Sequence, residues 1–314
     1  MDHPDDLLES FAFGETFGAA PAVGAHVDAC PQCAAHVELA RAAAGWLATS
    51  HVATPPSGLR SRVLTAAVGA RPPSSGSVSS AYVAEVADLG VLLDSLSPAQ
   101  WSAPTVDGRS VRDLVRHLTG NDGNVLADLG VPGPPGERWR QQSDLLLRTV
   151  GQGGDALLDR PVRLAGKVPV RRPLRDALTQ RAFETWIHRD DIRIAVALPP
   201  IPPASDHLSR ILGFGLAMLP AAIDAAGRAR PGKVLLDLTG PGGAEHVVGM
   251  GTRATASDTG ASNGAWLAEV RMPAERFGRL MAGRVPVTPS VAVVRGDRSA
   301  ALDLLAVAAT LGCE

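Results

Sequence analysis

Lysine is almost missing from this chain of 314 residues: Lys167 and Lys233 are the only two, and arginine carries the remaining positive charge. With 30 basic against 32 acidic residues there is no basic excess. A direct nucleic-acid interface is therefore not expected, and any contact with DNA would go through a protein partner. Cysteine is also scarce. Three residues, Cys30, Cys33 and Cys313, are an odd number, which argues against a disulfide framework and for metal or redox use of the close pair. No uninterrupted apolar run reaches about 18 residues, so no transmembrane helix and no membrane partner are expected. The acidic stretch Met1 to Ser10 lacks the apolar core of a signal peptide. The expectation is a soluble, cytoplasmic protein.

What is abundant is Ala, Gly, Pro and Arg, the bias of a GC-rich genome. Hydrophobic residues make up 45% and charged residues 20%, a globular composition, and the length suits two or three domains. Two proline-rich breaks punctuate the chain. Arg71-Pro72-Pro73-Ser74-Ser75-Gly76-Ser77 reads as a flexible linker, and Leu198-Pro199-Pro200-Ile201-Pro202-Pro203 as a stiff extended connector. Before the first break, Val37, Ala40, Ala44 and Leu47 keep helical spacing, and a short helix is expected over 57–68 with Leu59, Val63 and Leu64 in its apolar stripe. Between the breaks, helices are expected from about Val83 to Leu96, over 110–129 with Ser110 as N-cap, over 138–158 and over 174–197. Four such helices suggest an antiparallel bundle. After the second break a helix (207–226) is followed by strands at 234–238, 266–271 and 290–295, a turn at Pro241-Gly242-Gly243, and helices at 273–282 and 298–311. The fold class expected is multidomain: a small all-α module (1–70), a linker (71–80), a four-helix bundle (81–198), a proline-rich connector (199–205) and a small α+β domain (206–314).

Two groups of residues carry chemistry. The first is His26-Val27-Asp28-Ala29-Cys30-Pro31-Gln32-Cys33, spaced H-x3-C-x2-C. His26 and Cys30 are one helical turn apart, and Pro31 can end one helix and open the next. Cys33 then lies in a first turn, where the helix dipole favours a thiolate. Thiolates with an imidazole suit a tetrahedral Zn²⁺ site. A buried cysteine pair beside a surface histidine fits the same spacing. The second group is Glu184 and His188, i and i+4 on one helix face, which His117 of the second bundle helix can meet if the two helices are neighbours. Two imidazoles and a carboxylate would leave a divalent metal with open positions. A hydrogen-bonded Glu–His pair and a lone core histidine fit equally well from spacing alone.

The flanking residues resemble known families. The first 70 residues, through His3-Pro4-Asp5-Asp6-Leu7-Leu8, the H-x3-C-x2-C motif and Pro56-Ser57-Gly58-Leu59-Arg60-Ser61-Arg62-Val63-Leu64, resemble the zinc-anchored domain of bacterial anti-sigma factors. That resemblance implies a zinc-clamped helical module, a sigma factor as partner, and a fourth ligand for which His3 is the candidate and His36 the alternative. The segment Ser110-Val111-Arg112-Asp113-Leu114-Val115-Arg116-His117-Leu118 together with Glu184-Thr185-Trp186-Ile187-His188-Arg189-Asp190-Asp191 resembles the DinB-like, mycothiol-dependent maleylpyruvate isomerase family. The C-terminal third resembles that family's sterol-carrier-like domain. This resemblance implies that His117, Glu184 and His188 bind a divalent metal, zinc in the first instance. It also implies that a small thiol such as mycothiol, or a small acidic molecule, enters the site. Arg189, Arg193, Arg284 and Arg295 are available to hold an acid. Two functions follow from the resemblances: a zinc-binding anti-sigma regulator whose C-terminal region senses metal or thiol, or a mycothiol-dependent isomerase or thiol transferase with an accessory zinc finger.

Overall fold

The computed structural model describes residues 4–14, 20–47, 59–60, 63, 78–134, 138–166, 170–252 and 266–312. The chain divides into two compact units, Met1–Ala70 and Arg71–Glu314.

In the N-terminal unit, helices α1 (Asp5–Ala12) and α2 (Ala20–Ala29) both pack against α3 (Pro31–Leu47). Pro31 opens α3, where its missing N–H costs nothing. Among the described residues the buried core is Leu8, Val23, Cys33 and Val37, with Phe11, Ala12, Val27 and Cys30 packed beside it. Units of this length commonly carry a staple such as a structural metal. Of the helix expected over 57–68, Leu59, Arg60 and Val63 are helical, with the Leu59 and Val63 side chains exposed. Its other residues, Leu64 included, lie outside the described residues, as do His3 and Cys313.

The larger unit opens with helices α4 (Ser80–Asp94), α5 (Val111–Asp128), α6 (Trp139–Leu158) and α7 (Leu174–Ala195). Ser110 caps α5: its Oγ accepts the Asp113 N–H at 3.2 Å, one turn on. The stripe Leu114, Val115, Leu118, Val125 and Leu126 is fully inside, as its spacing requires. Helix α7 packs against α4, α5 and α6. A two-stranded antiparallel ribbon, β1 (Pro161–Arg163) with β2 (Arg171–Pro173), joins α6 to α7. Three-residue strands made of Pro, Val and Arg show no alternation, so periodicity does not announce them.

Helix α7 stops two residues short of the expected end for a local reason. Ala197 adopts φ +62°, and the Leu198 and Ala197 N–H groups bond back to the carbonyls of Arg193 (2.7 Å) and Ile194 (3.0 Å). That is a Schellman cap, followed at once by Pro199 and Pro200.

The α+β part begins with α8 (Ser205–Ala225). By length and composition α8 is apolar enough to cross a membrane, although no uninterrupted apolar run marks it. Its Leu208, Ile211, Leu212, Leu216, Leu219 and Ile223 are buried in the core, and it packs on α7. The sheet has the order β4-β3-β5-β6, from β3 (Lys233–Thr239), β4 (Glu245–Gly249), β5 (Ala268–Pro273) and β6 (Val293–Gly296). The central pair β3/β5 is parallel and both edge pairings are antiparallel. Val234, Leu236 and Leu238 alternate inward along β3. Helices α9 (Ala274–Met281) and α10 (Arg298–Ala308) complete the layer and pack against α8.

One continuous hydrophobic core runs from Ala81 to Ala308 through both the bundle and the α+β layer. At the seam, α9 meets Trp186 of α7 through Gly278: a Cβ there would lie 2.7 Å from Trp186 Cη2.

Candidate metal centres

Helix α7 is unusual in being buried on every side. From Ala177 to Ile192 every residue is enclosed, including Arg181, Glu184, His188, Arg189, Asp190 and Asp191. Ionisable groups taken out of water destabilise a fold unless each is paired, so a polar helix in this position marks a built site.

The first half of that network holds the expected triad. His117 on α5 and His188 on α7 meet edge to face, with ring centroids 5.3 Å apart, so the two helices are neighbours as required. Asn121, one turn beyond His117, donates from Nδ2 to Glu184 Oε2 at 3.0 Å and lies 3.1 Å from His117 Nε2. Arg181 forms an ion pair with Glu184 Oε2. Glu184 Oε1 is buried with no hydrogen-bond partner. Burial pushes the His117 imidazole down to about 4, outweighing the attraction of Glu184, so it is neutral at physiological pH. His188 Nδ1 lies 3.1 Å from Asp191 Oδ2. A carboxylate there holds the proton on Nδ1 and leaves the lone pair on Nε2, the usual support of a metal-binding histidine. Burial alone would raise Asp191; bonds from His188 and Arg284 hold it below the ordinary range instead.

Arg284, from the turn after α9, grips Asp191 through Nε at 3.0 Å and Nη2 at 2.7 Å. It also lines, with Phe183, Glu184, Ile187, His188 and Ala282, a cavity of about 10 Å³, room for one water. Of the four candidate arginines, only Arg284 reaches the triad. Arg189 is buried between Glu85 and Asp88, at 2.8 Å from each. Arg193 donates to the Pro199 carbonyl at 2.6 Å, and Arg295 is an exposed neighbour of Glu269. Spacing also marks Asn121 (i+4 from His117) and Asp191 (i+3 from His188), which sequence reasoning passed over.

The triad offers the groups a cation takes, a neutral imidazole, a carboxylate and an oriented second imidazole, but their ligand atoms do not all lie within 4.8 Å of one another. Asn121 and Arg181 meet Glu184 Oε2, while Glu184 Oε1 is left without a partner.

The N-terminal group is tighter. His26, Cys30 and Cys33 have ligand atoms all within 4.8 Å of one another, the only such group of three among the described residues. Cys33 Sγ is 3.4 Å from His26 Nε2, and neither Cys30 nor Cys33 is in a disulfide. Cys30, between α2 and α3, accepts the Ala34 N–H with its carbonyl at 3.0 Å and so acts as N-cap of α3. The Cys33 N–H lowers the Cys30 thiol below its ordinary range. Cys33 lies in the first turn of α3 as expected, and the same helix start acts on Cys30. His36 is exposed and outside the cluster. Two sulfurs and an imidazole at this spacing fit zinc.

The bundle thus brings His117 from one helix beside Glu184 and His188 of a neighbouring one. Residues 82–193 match the family profile described as the mycothiol maleylpyruvate isomerase N-terminal domain. The match spans α4 to α7 and stops short of both the N-terminal unit and the α+β layer. Two solved structures are similar: a crystal structure of the mycothiol-dependent maleylpyruvate isomerase, 17% identical, and one of its histidine-to-alanine variant, 15% identical. Each comparison covers 66% of this chain and 88% of the other, with a TM-score of 0.42. No curated protein matches the chain significantly.

Proposed function

We propose that the larger unit is a metal- and thiol-dependent enzyme of the maleylpyruvate isomerase type, with mycothiol or a similar small thiol as co-substrate and a small acid or electrophile as substrate. The observation that carries this reading is the profile match over α4 to α7, which contains His117, Glu184 and His188. It favours the enzyme over the regulator. His117, Glu184 and His188 would hold the metal, zinc in the first instance. A bound divalent cation would let a thiol lose its proton near neutral pH. The chain's own residues do the rest. Burial keeps His117 neutral, Asp191 fixes the His188 tautomer, and Trp186 and Ile187 exclude water. Arg284, held by Asp191, lines the same cavity and keeps a positive charge beside it that favours an acidic substrate. With room for one water, substrate entry requires the turn Ala282-Gly283-Arg284 to move, and Gly283 at φ +69° is its natural pivot. On this reading the protein works in the cytoplasm, where thiols stay reduced.

The test is turnover by the zinc-loaded full chain of maleylpyruvate, and of a small aryl halide, with mycothiol. Activity should depend on the thiol and vanish in His188→Ala. A zinc-loaded protein that turns over neither, and whose cobalt-substituted spectrum mycothiol leaves unchanged, would exclude the enzyme reading.

A second reading rests on the assembled His26–Cys30–Cys33 group: a zinc module, with His3 as candidate fourth ligand, that serves a regulator and binds a sigma factor. Its test is co-purification of a sigma factor with the full chain from the native host, lost in the double variant Cys30→Ser plus Cys33→Ser.

A further inference from the structure

A second cavity lies apart from the triad, with none of His117, Glu184 or His188 in its walls. It has a volume of about 380 Å³, the size of a small-ligand pocket, and sits where the end of α4 meets the starts of α5 and α6. Four arginines line it, Arg112, Arg116, Arg138 and Arg140, against one carboxylate, Asp94. Two of them are committed: Arg140 to Asp94 and Arg116 to Asp113, each at 2.8 Å. The other two have no carboxylate partner among the described residues. Arg112 lies over the Trp101 ring, 5.7 Å from its centroid, and Arg138 stands exposed at the N-cap of α6. The wall also holds Trp139, 3% exposed, whose Nε1 donor is buried without a partner.

A protein stabilised only by its core has no use for this arrangement. Like charges collected around a cavity repel one another. An anion with several acceptor oxygens relieves the repulsion. Guanidinium groups match phosphate in a planar, two-bond fashion, and a ring can lie along the Trp101–Arg112 stack. We propose that this cavity binds a small organic phosphate of nucleotide size, its phosphates held by Arg112 and Arg138 and its ring against Trp101. The proposal is independent of the metal-site reading, because neither the residues nor the cavity are shared.

The experiment is calorimetric titration of the full chain with ADP, pyrophosphate and sulfate, without added divalent metal, at an ionic strength of about 0.15 M to screen loose surface attraction. ADP is expected to bind more tightly than pyrophosphate, and both far more tightly than sulfate. The double variant Arg112→Gln plus Arg138→Gln should weaken ADP at least tenfold with zinc content and helical signal unchanged. Trp101→Leu should bring ADP down to the level of pyrophosphate. Equal binding by wild type and the double variant, no binding of ADP, or affinities that follow ionic charge alone would each overturn the proposal.

Discussion

Replacing Asp191 by asparagine isolates the support of the triad from the triad itself. Asp191 accepts from His188 at 3.1 Å and from two nitrogens of Arg284, and it is almost wholly buried. Asparagine keeps the shape but removes the charge, and it can turn an N–H toward the imidazole. His188 then loses the partner that fixes its proton on Nδ1. Removing such a support typically lowers metal affinity 10- to 100-fold, about 1.4–2.7 kcal/mol. Arg284 loses its charged partner as well but keeps the Ala282 carbonyl at 3.1 Å and Asp107 at 3.8 Å, so the added stability cost should be about 1–3 kcal/mol. The two effects are separable. Zinc affinity is read by chelator competition in a Cys30→Ser plus Cys33→Ser background, so that one site is counted, and stability by urea unfolding of the metal-free protein. An affinity within twofold of the parent, with the helical signal intact, would mean that the His188–Asp191 contact is packing and that the triad is not a metal site supported in this way.

Three further outcomes follow from the geometry. Cys30→Ser plus Cys33→Ser should remove one zinc per chain, measured by elemental analysis, and lower the melting temperature of the N-terminal unit; undiminished zinc would dismiss the site. Burial raises the Glu85 carboxyl to about 8, because Arg189 is shared with Asp88 and Asp190. A carboxyl raised in the folded state contributes stability that is full below its ordinary pKa near 4.5 and is lost as pH rises through 8. Glu85→Gln should therefore flatten the decline between pH 5 and 9, by up to about 5 kcal/mol, and parallel urea midpoints for the two proteins would contradict the assignment. Ala197→Gly should stabilise the protein by about 1 kcal/mol by relieving the left-handed cap of α7, and an unchanged or lower midpoint would show that the cap carries no such cost.

The parts of this architecture that were legible in the sequence are those governed by neighbours in the chain. Ser110 with Asp113, Pro31 at the start of α3, and the alternation Val234, Leu236, Leu238 are each decided within a turn or a strand. The same holds for the His26–Cys30–Cys33 group, whose three side chains lie on either side of a single helix break and come together without help from elsewhere. The bundle site is different. Glu184 and His188 share a face by spacing, but a run such as Arg181-Ala182-Phe183-Glu184-Thr185-Trp186-Ile187-His188-Arg189-Asp190-Asp191 reads equally as a solvated helix. Only tertiary packing decides that all its sides are enclosed, and only then do its charges become a network that must be satisfied. The partners that satisfy it come from far along the chain: Glu85 from α4, Asn121 from α5, Arg279 and Arg284 from between β5 and β6. Arg284 looked no different from Arg189, Arg193 or Arg295 in sequence. Its place beside His188 is set by the Trp186–Gly278 contact and by the Asp190–Arg279 pair, which bring α9 onto α7. The α+β layer therefore does more than cover the bundle: it supplies Arg284, which bonds Asp191 beside His188. Gly278→Ala, which pushes a methyl into Trp186, is accordingly expected to disturb that site as well as the core.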